Sequence, residues 1–88
     1  MSEKIRFALC DDSDIERHII RCMLDQYIEE HEYSVLVEEF DSGDALLKSD
    51  VTAYDLIILD IYMAGLNGID TAKELLDARS EGKIIFCS

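Results

Sequence analysis

The sequence predicts an α/β fold: a parallel sheet with helices on both faces. Two observations carry the prediction. Four short apolar runs alternate with stretches of helical periodicity, in the order βαβαβαβ, with short connections. The first, third and fourth runs end on polar residues: Asp11-Asp12, Asp60 and Ser88. Right-handed crossovers bring the carboxyl ends of parallel strands to one edge of the sheet. Ligand sites of open α/β sheets lie just outside that edge. Each polar residue can also simply cap the turn after its strand. A single shared site accounts for all of them with one cause.

Residues 4–10, KIRFALC, read as the first strand. Ile5, Phe7 and Leu9 alternate with Lys4, Arg6 and Ala8, so one face is expected to be more buried than the other. Ser13-Asp14-Ile15-Glu16 fits the S-x-x-E capping box, and acids in the first turn complement the helix dipole. A helix is therefore expected from about Asp14 to His31. Its apolar residues, Ile15, Ile19, Ile20, Met23, Leu24, Tyr27 and Ile28, cover more than one narrow stripe. The expectation is a wide core-facing surface; the alternative is that part of it meets a partner.

Residues 34–40, SVLVEEF, read as the second strand, broken by Asp41-Ser42-Gly43. A short helix from about Gly43 to Ser49 would turn Ala45, Leu46 and Leu47 inward. Residues 55–60 form the third strand. Its centre, Leu56-Ile57-Ile58-Leu59, is apolar at every position, as a strand buried on both faces requires. A third helix starts after Asn67-Gly68, with Ile69, Ala72, Leu75 and Leu76 at helical spacing and Arg79 in its last turn. It ends at Glu81-Gly82. Residues 83–87, KIIFC, read as the fourth strand, followed by Ser88.

At 88 residues the chain makes one domain, and 49% apolar residues support a core. It holds no run of about 20 apolar residues that would span a membrane. The N-terminus, MSEKIRFALCDD, lacks the pattern of a signal peptide. These features lead to the expectation of a soluble cytoplasmic protein. Net charge is −12, from 20 acidic and 8 basic residues. That balance argues against direct binding to nucleic acid or an anionic membrane. Cys10, Cys22 and Cys87 have no C-x-x-C spacing and read as reduced thiols. Cys10 and Cys87 sit in strand-like runs, where Cys behaves as a small buried hydrophobe.

Three carboxylates held close raise one another's pKa values, and a divalent cation removes that penalty. Donors that are all oxygen, with no His or Cys among them, favour magnesium, calcium or manganese over zinc. Nucleotide cradling has no support, since no GxxxxGK[ST] or GxGxxG segment exists. A carboxylate can also attack phosphorus and give an aspartyl-phosphate. The metal would then neutralise charge developing on the phosphoryl oxygens. His18 and His31 fall on the first helix, away from the acids, and read as surface histidines.

The combination of Asp11-Asp12 after strand one, Asp60 ending strand three, Gly68 eight residues on, and Ser88 after strand four resembles the receiver domain of two-component response regulators. The segments FDSGDALL and YDLIILDIYMAGLNGID look most like receivers of LytTR-type transcriptional regulators. The resemblance covers essentially the whole chain. It implies a flavodoxin-like sheet in the strand order 2-1-3-4, with Asp60 as phosphoacceptor. It further implies Mg2+ held by Asp11, Asp12, Asp60 and the backbone carbonyl of Tyr62, with Ser88 as the switch hydroxyl. Gly68 would let the loop turn into the third helix. The implied partner is a sensor histidine kinase, and the implied output is an attached transcriptional domain. Such a domain takes up phosphate without being a conventional turnover enzyme.

The sequence departs from that family in two places. The family has five strands and five helices, whereas here the fifth strand and last two helices are absent. With them go the strand-five lysine and aromatic switch residue. Ala64 stands where proline is common. The expectation is thus a receiver truncated at its C-terminus that associates as a homodimer or swapped oligomer through the open edge of strand four, or is a fragment of a longer protein. Two other readings compete. One is a phosphorylation-incompetent module that only dimerises or binds a kinase. The other is a magnesium-dependent hydrolase, which wants an acid two residues after its nucleophile, where Tyr62 stands.

Overall fold

The computed structural model describes residues 4–63, 67–77 and 83–87. The expectations for Ala64, Arg79, the Glu81-Gly82 helix end, the Cys87 side chain and Ser88 lie outside the described residues. The elements are β1 (Ile5–Cys10), α1 (Asp14–Glu30), β2 (Val35–Phe40), α2 (Gly43–Lys48), β3 (Leu56–Asp60), α3 (Gly68–Asp77) and β4 (Lys83–Cys87). A single 3₁₀ turn, Val51–Ala53, links α2 to β3.

All described strand pairings are parallel, in the order β2-β1-β3-β4, the expected flavodoxin-like order. The register is set by the apolar runs. Cys10 pairs with Phe40 on one side and Leu59 on the other, and Leu59 pairs with Phe86. The sheet divides the core into two layers. On one face Ala8, Cys10, Ile57 and Leu59 pack with Leu46 of α2, Leu75 of α3, Val51, Tyr54 and Met63. On the other, Leu9, Val37 and Ile58 meet Ile20, Leu24 and Ile28 of α1.

The N-termini of α1 and α2 are capped by serines, and α1 differs from the expected motif. Ser13 Oγ accepts the Glu16 N–H at 3.3 Å. The reciprocal half of a capping box is replaced: the Ser13 N–H donates to Asp11 Oδ1 at 2.9 Å, not to Glu16. The acid after β1 therefore ties its own loop to the start of α1. At α2, Ser42 Oγ accepts the Ala45 N–H at 3.0 Å. The end of α1 is closed by Glu32 at φ 55°, with the Tyr33 N–H donating to the Ile28 carbonyl. His31 stacks between Tyr27 and Tyr33 at that end.

Three expectations about burial are corrected. β1 does not bury one face more than the other; burial instead rises along the strand, and Ala8, Leu9 and Cys10 are all fully buried. Its carboxyl half lies between β2 and β3, with helices on both faces. α1 does not present a wide core face. Ile20, Leu24 and Ile28 pack on the sheet, whereas Ile15, Ile19, Met23 and Tyr27 are exposed. The sheet offers that helix only a narrow apolar strip. In α3 the buried face is Gly68, Thr71 and Leu75, with Ala72 packed beside it. Ile69 and Leu76 are exposed. Gly68 fixes which way the helix faces, and the positions that follow it inward are i+3, i+4 and i+7.

Candidate functional site

The central pair of strands, β1 and β3, delivers the acids to one point. Asp60 ends β3, and Asp11 follows the β1 residue that pairs with Leu59. Asp11 and Asp60 are buried, while Asp12 is exposed. One carboxylate oxygen from each of the three lies within 4.8 Å of the others. The three acids singled out from sequence are thus brought together. Ser88 lies outside the described residues.

Backbone N–H groups orient two of the carboxylates. Asp11 Oδ1 accepts from Ser13, and Asp60 Oδ1 accepts from the Tyr62 N–H at 3.2 Å. Burial pushes the Asp60 carboxyl above the usual carboxylate range. The neighbouring charges of Asp11 and Asp12 push the same way, and the Tyr62 N–H opposes them. Burial first, then Asp11, Asp41 and Asp60, push the Cys10 thiol up to about 12. Cys10 is accordingly inert packing, and its thiol sits 3.6 Å from the Met63 sulfur. Cys22, by contrast, is exposed.

Gly68 controls the loop after Asp60. A Cβ there would collide with the Asp60 carbonyl oxygen and lie 2.8 Å from Ile61 Cα. The Gly68 N–H donates to the Ile61 carbonyl at 3.1 Å. Asn67 caps α3, its Oδ1 accepting the Asp70 N–H at 2.9 Å. Buried Thr71 is satisfied by donating to the Asn67 carbonyl at 2.8 Å. The α3 N-terminus is thereby pressed against the backbone that carries Asp60. The Tyr62 side chain points out, 79% exposed.

Sequence reasoning passed over Arg17. Its Nη1 donates to the Asp11 carbonyl at 2.6 Å. Its Nη2 pairs with Asp14 and its Nε lies 3.3 Å from Glu39 of β2. No local pattern marks this arginine, because two of its three partners are set by where β1 and β2 end.

The donor set suits a hard divalent cation: three carboxylate oxygens, two of the acids buried, and neither nitrogen nor sulfur among them. The raised Asp60 pKa is the penalty such a cation would lift. The described helices include none long and apolar enough to cross a membrane.

The sequence profile of the response regulator receiver domain matches residues 7–88. The chain is 35% identical over 69 residues to the chemotaxis protein CheY of Thermotoga maritima, covering 78% of this chain and 58% of that protein. Among solved structures, response regulator protein TrrA of Thermotoga maritima in complex with Mg2+–BeF is 30% identical at a TM-score of 0.70. That match covers 93% of this chain and 67% of the other. A structure of histidine kinase ThkA in complex with TrrA matches at 32% identity and a TM-score of 0.66. It covers 93% of this chain and 66% of that one. The chain spans less than two thirds of the length of the curated relatives it matches first.

Proposed function

The chain belongs to the response regulator receiver domain family, and from that membership we propose that it accepts a phosphoryl group from a sensor histidine kinase onto Asp60. The convergence of Asp11, Asp12 and Asp60 within 4.8 Å at the carboxyl edge of β1 and β3 carries the reading. The Mg2+–BeF and kinase complexes of TrrA, a relative of the same family, support it.

Asp60 is the nucleophile. Its carboxylate oxygen forms the bond to phosphorus while the bond from phosphorus to the donor's histidine nitrogen breaks, and the imidazole gains a proton from solvent. The Tyr62 N–H holds Oδ1 and so limits rotation of the carboxylate. Mg2+ bound by Asp11, Asp12, Asp60 and the Tyr62 carbonyl would neutralise charge on the phosphoryl oxygens. Ser88 is the hydroxyl that would bond the phosphoryl group afterwards. The product carries about −1.5 to −2 charges at this edge, enough to bias loops that lean on Asp60. In a longer protein, transcriptional control of the LytTR type is the output we infer.

The test is intact mass after incubation with acetyl phosphate, with and without Mg2+, beside Asp60→Asn. The expected result is a gain of one phosphoryl group that needs Mg2+ and vanishes in the variant. A folded wild-type chain that gains nothing overturns the phosphoacceptor reading. A second reading, association through β4, is favoured by Ile85 and Phe86, which are half-exposed on a strand paired only with β3 among the described residues.

A further inference from the structure

We propose that Arg17 is a positioning residue for the divalent-cation site: it clamps the backbone of the β1–α1 loop and thereby sets where Asp11 and Asp12 stand. The inference rests on the metal-binding reading above. One guanidinium joins three pieces of chain. It bonds the Asp11 carbonyl, the Asp14 carboxylate in the first turn of α1, and Glu39 near the end of β2. The arginine side chain is largely buried, at 17% exposure. The same loop is closed from within by the Ser13 N–H on Asp11 Oδ1, and the Asp11 N–H donates to the Phe40 carbonyl at 3.0 Å. The backbone of Asp11 is thus anchored to α1 through Arg17 and to β2 through the Phe40 carbonyl. Arg21 also joins α1 to β2, and Arg17 adds to such a bridge the bond to the Asp11 carbonyl.

The geometry separates positioning from charge. A guanidinium beside an acidic cluster repels a cation. If charge were its only contribution, removing it would tighten Mg2+ and Ca2+ alike. If it holds the loop, removing it weakens binding. Mg2+ then suffers more than Ca2+, because Mg2+ demands near-ideal octahedral geometry and Ca2+ accepts irregular sites. Lysine keeps the charge and loses the fork that reaches three acceptors at once.

Mg2+ and Ca2+ affinities of the whole chain are measured by calorimetry for wild type, Arg17→Gln and Arg17→Lys, with melting curves in chelator to establish folding. Groups that orient metal ligands typically contribute 10–100-fold to affinity. We expect Arg17→Gln to weaken Mg2+ about tenfold and Ca2+ less, and Arg17→Lys to weaken Mg2+ despite its charge. Unchanged or tighter Mg2+ binding in either variant, or equal losses for the two ions, overturns the role of Arg17 alone. If Arg17→Gln does not fold, Arg17→Lys decides. A wild-type chain that binds neither ion overturns the metal-binding reading and this one with it.

Discussion

Asp60 carries a conflict that the fold creates. It is a buried carboxylate with two other acids against it, and it holds its proton more tightly than an ordinary aspartate. Because its folded pKa is raised, the stability it contributes is complete below the ordinary carboxylate range. That stability is lost as pH rises through the raised pKa. At neutral pH without divalent cation, Asp60→Asn should therefore melt higher than wild type. A shift of about 4–8 °C would correspond to ~1 kcal/mol in a domain of this size. The gap should close as pH falls through the raised pKa of Asp60 and the wild-type carboxyl takes up its proton. Added Mg2+ should raise the wild-type melting temperature and move the variant little. Melts across pH in chelator and in Mg2+ check all three. A wild type that is no less stable than Asp60→Asn at neutral pH would remove the proposed strain.

At the scale of the element, α1 shows how little a helix's own pattern says about what it buries. Leu24 and Met23 are neighbours in sequence and both apolar. Leu24 packs against Leu9, Val37 and Ile58, while Met23 is 67% exposed. Leu24→Ala should cost about 1–2 kcal/mol, the value of a partly buried leucine. Met23→Ala should stay within about 0.5 kcal/mol of wild type. Urea unfolding of the two variants decides it, and equal losses would return α1 to the wide core face that its sequence suggests. The α1 boundaries, by contrast, are legible, because Ser13 and the acids beside it act within one turn.

For the whole molecule, the sheet has unequal edges. β2 is lined by Glu38 and Glu39, held by Arg6, Arg17 and Arg21. β4 presents Ile85 and Phe86 with no described strand beyond it. A charged edge resists strand pairing and an apolar one invites it. The 88-residue chain should therefore show a concentration-dependent mass above monomer by light scattering, and Ile85→Lys should return it to monomer. A wild-type chain that stays monomeric at every concentration would rule out association through this edge.

The number of described strands and their succession along the chain, the helix starts and the three acids are legible in the sequence. Each of these is written locally: in apolar runs of strand length, in Ser13, Ser42 and Asn67 at the caps, and in carboxylates at strand ends. Other features depend on the assembled sheet. The inward face of α3 is chosen by Gly68 meeting the Asp60 carbonyl. The Ser13 N–H goes to Asp11 instead of Glu16. Arg17 gains its role only because β2 brings Glu39 beside the β1–α1 loop. Periodicity and capping act over a turn or two of chain. The close approach of a glycine to a backbone carbonyl, or of one guanidinium to three acceptors, depends on strands that meet only after the sheet has formed.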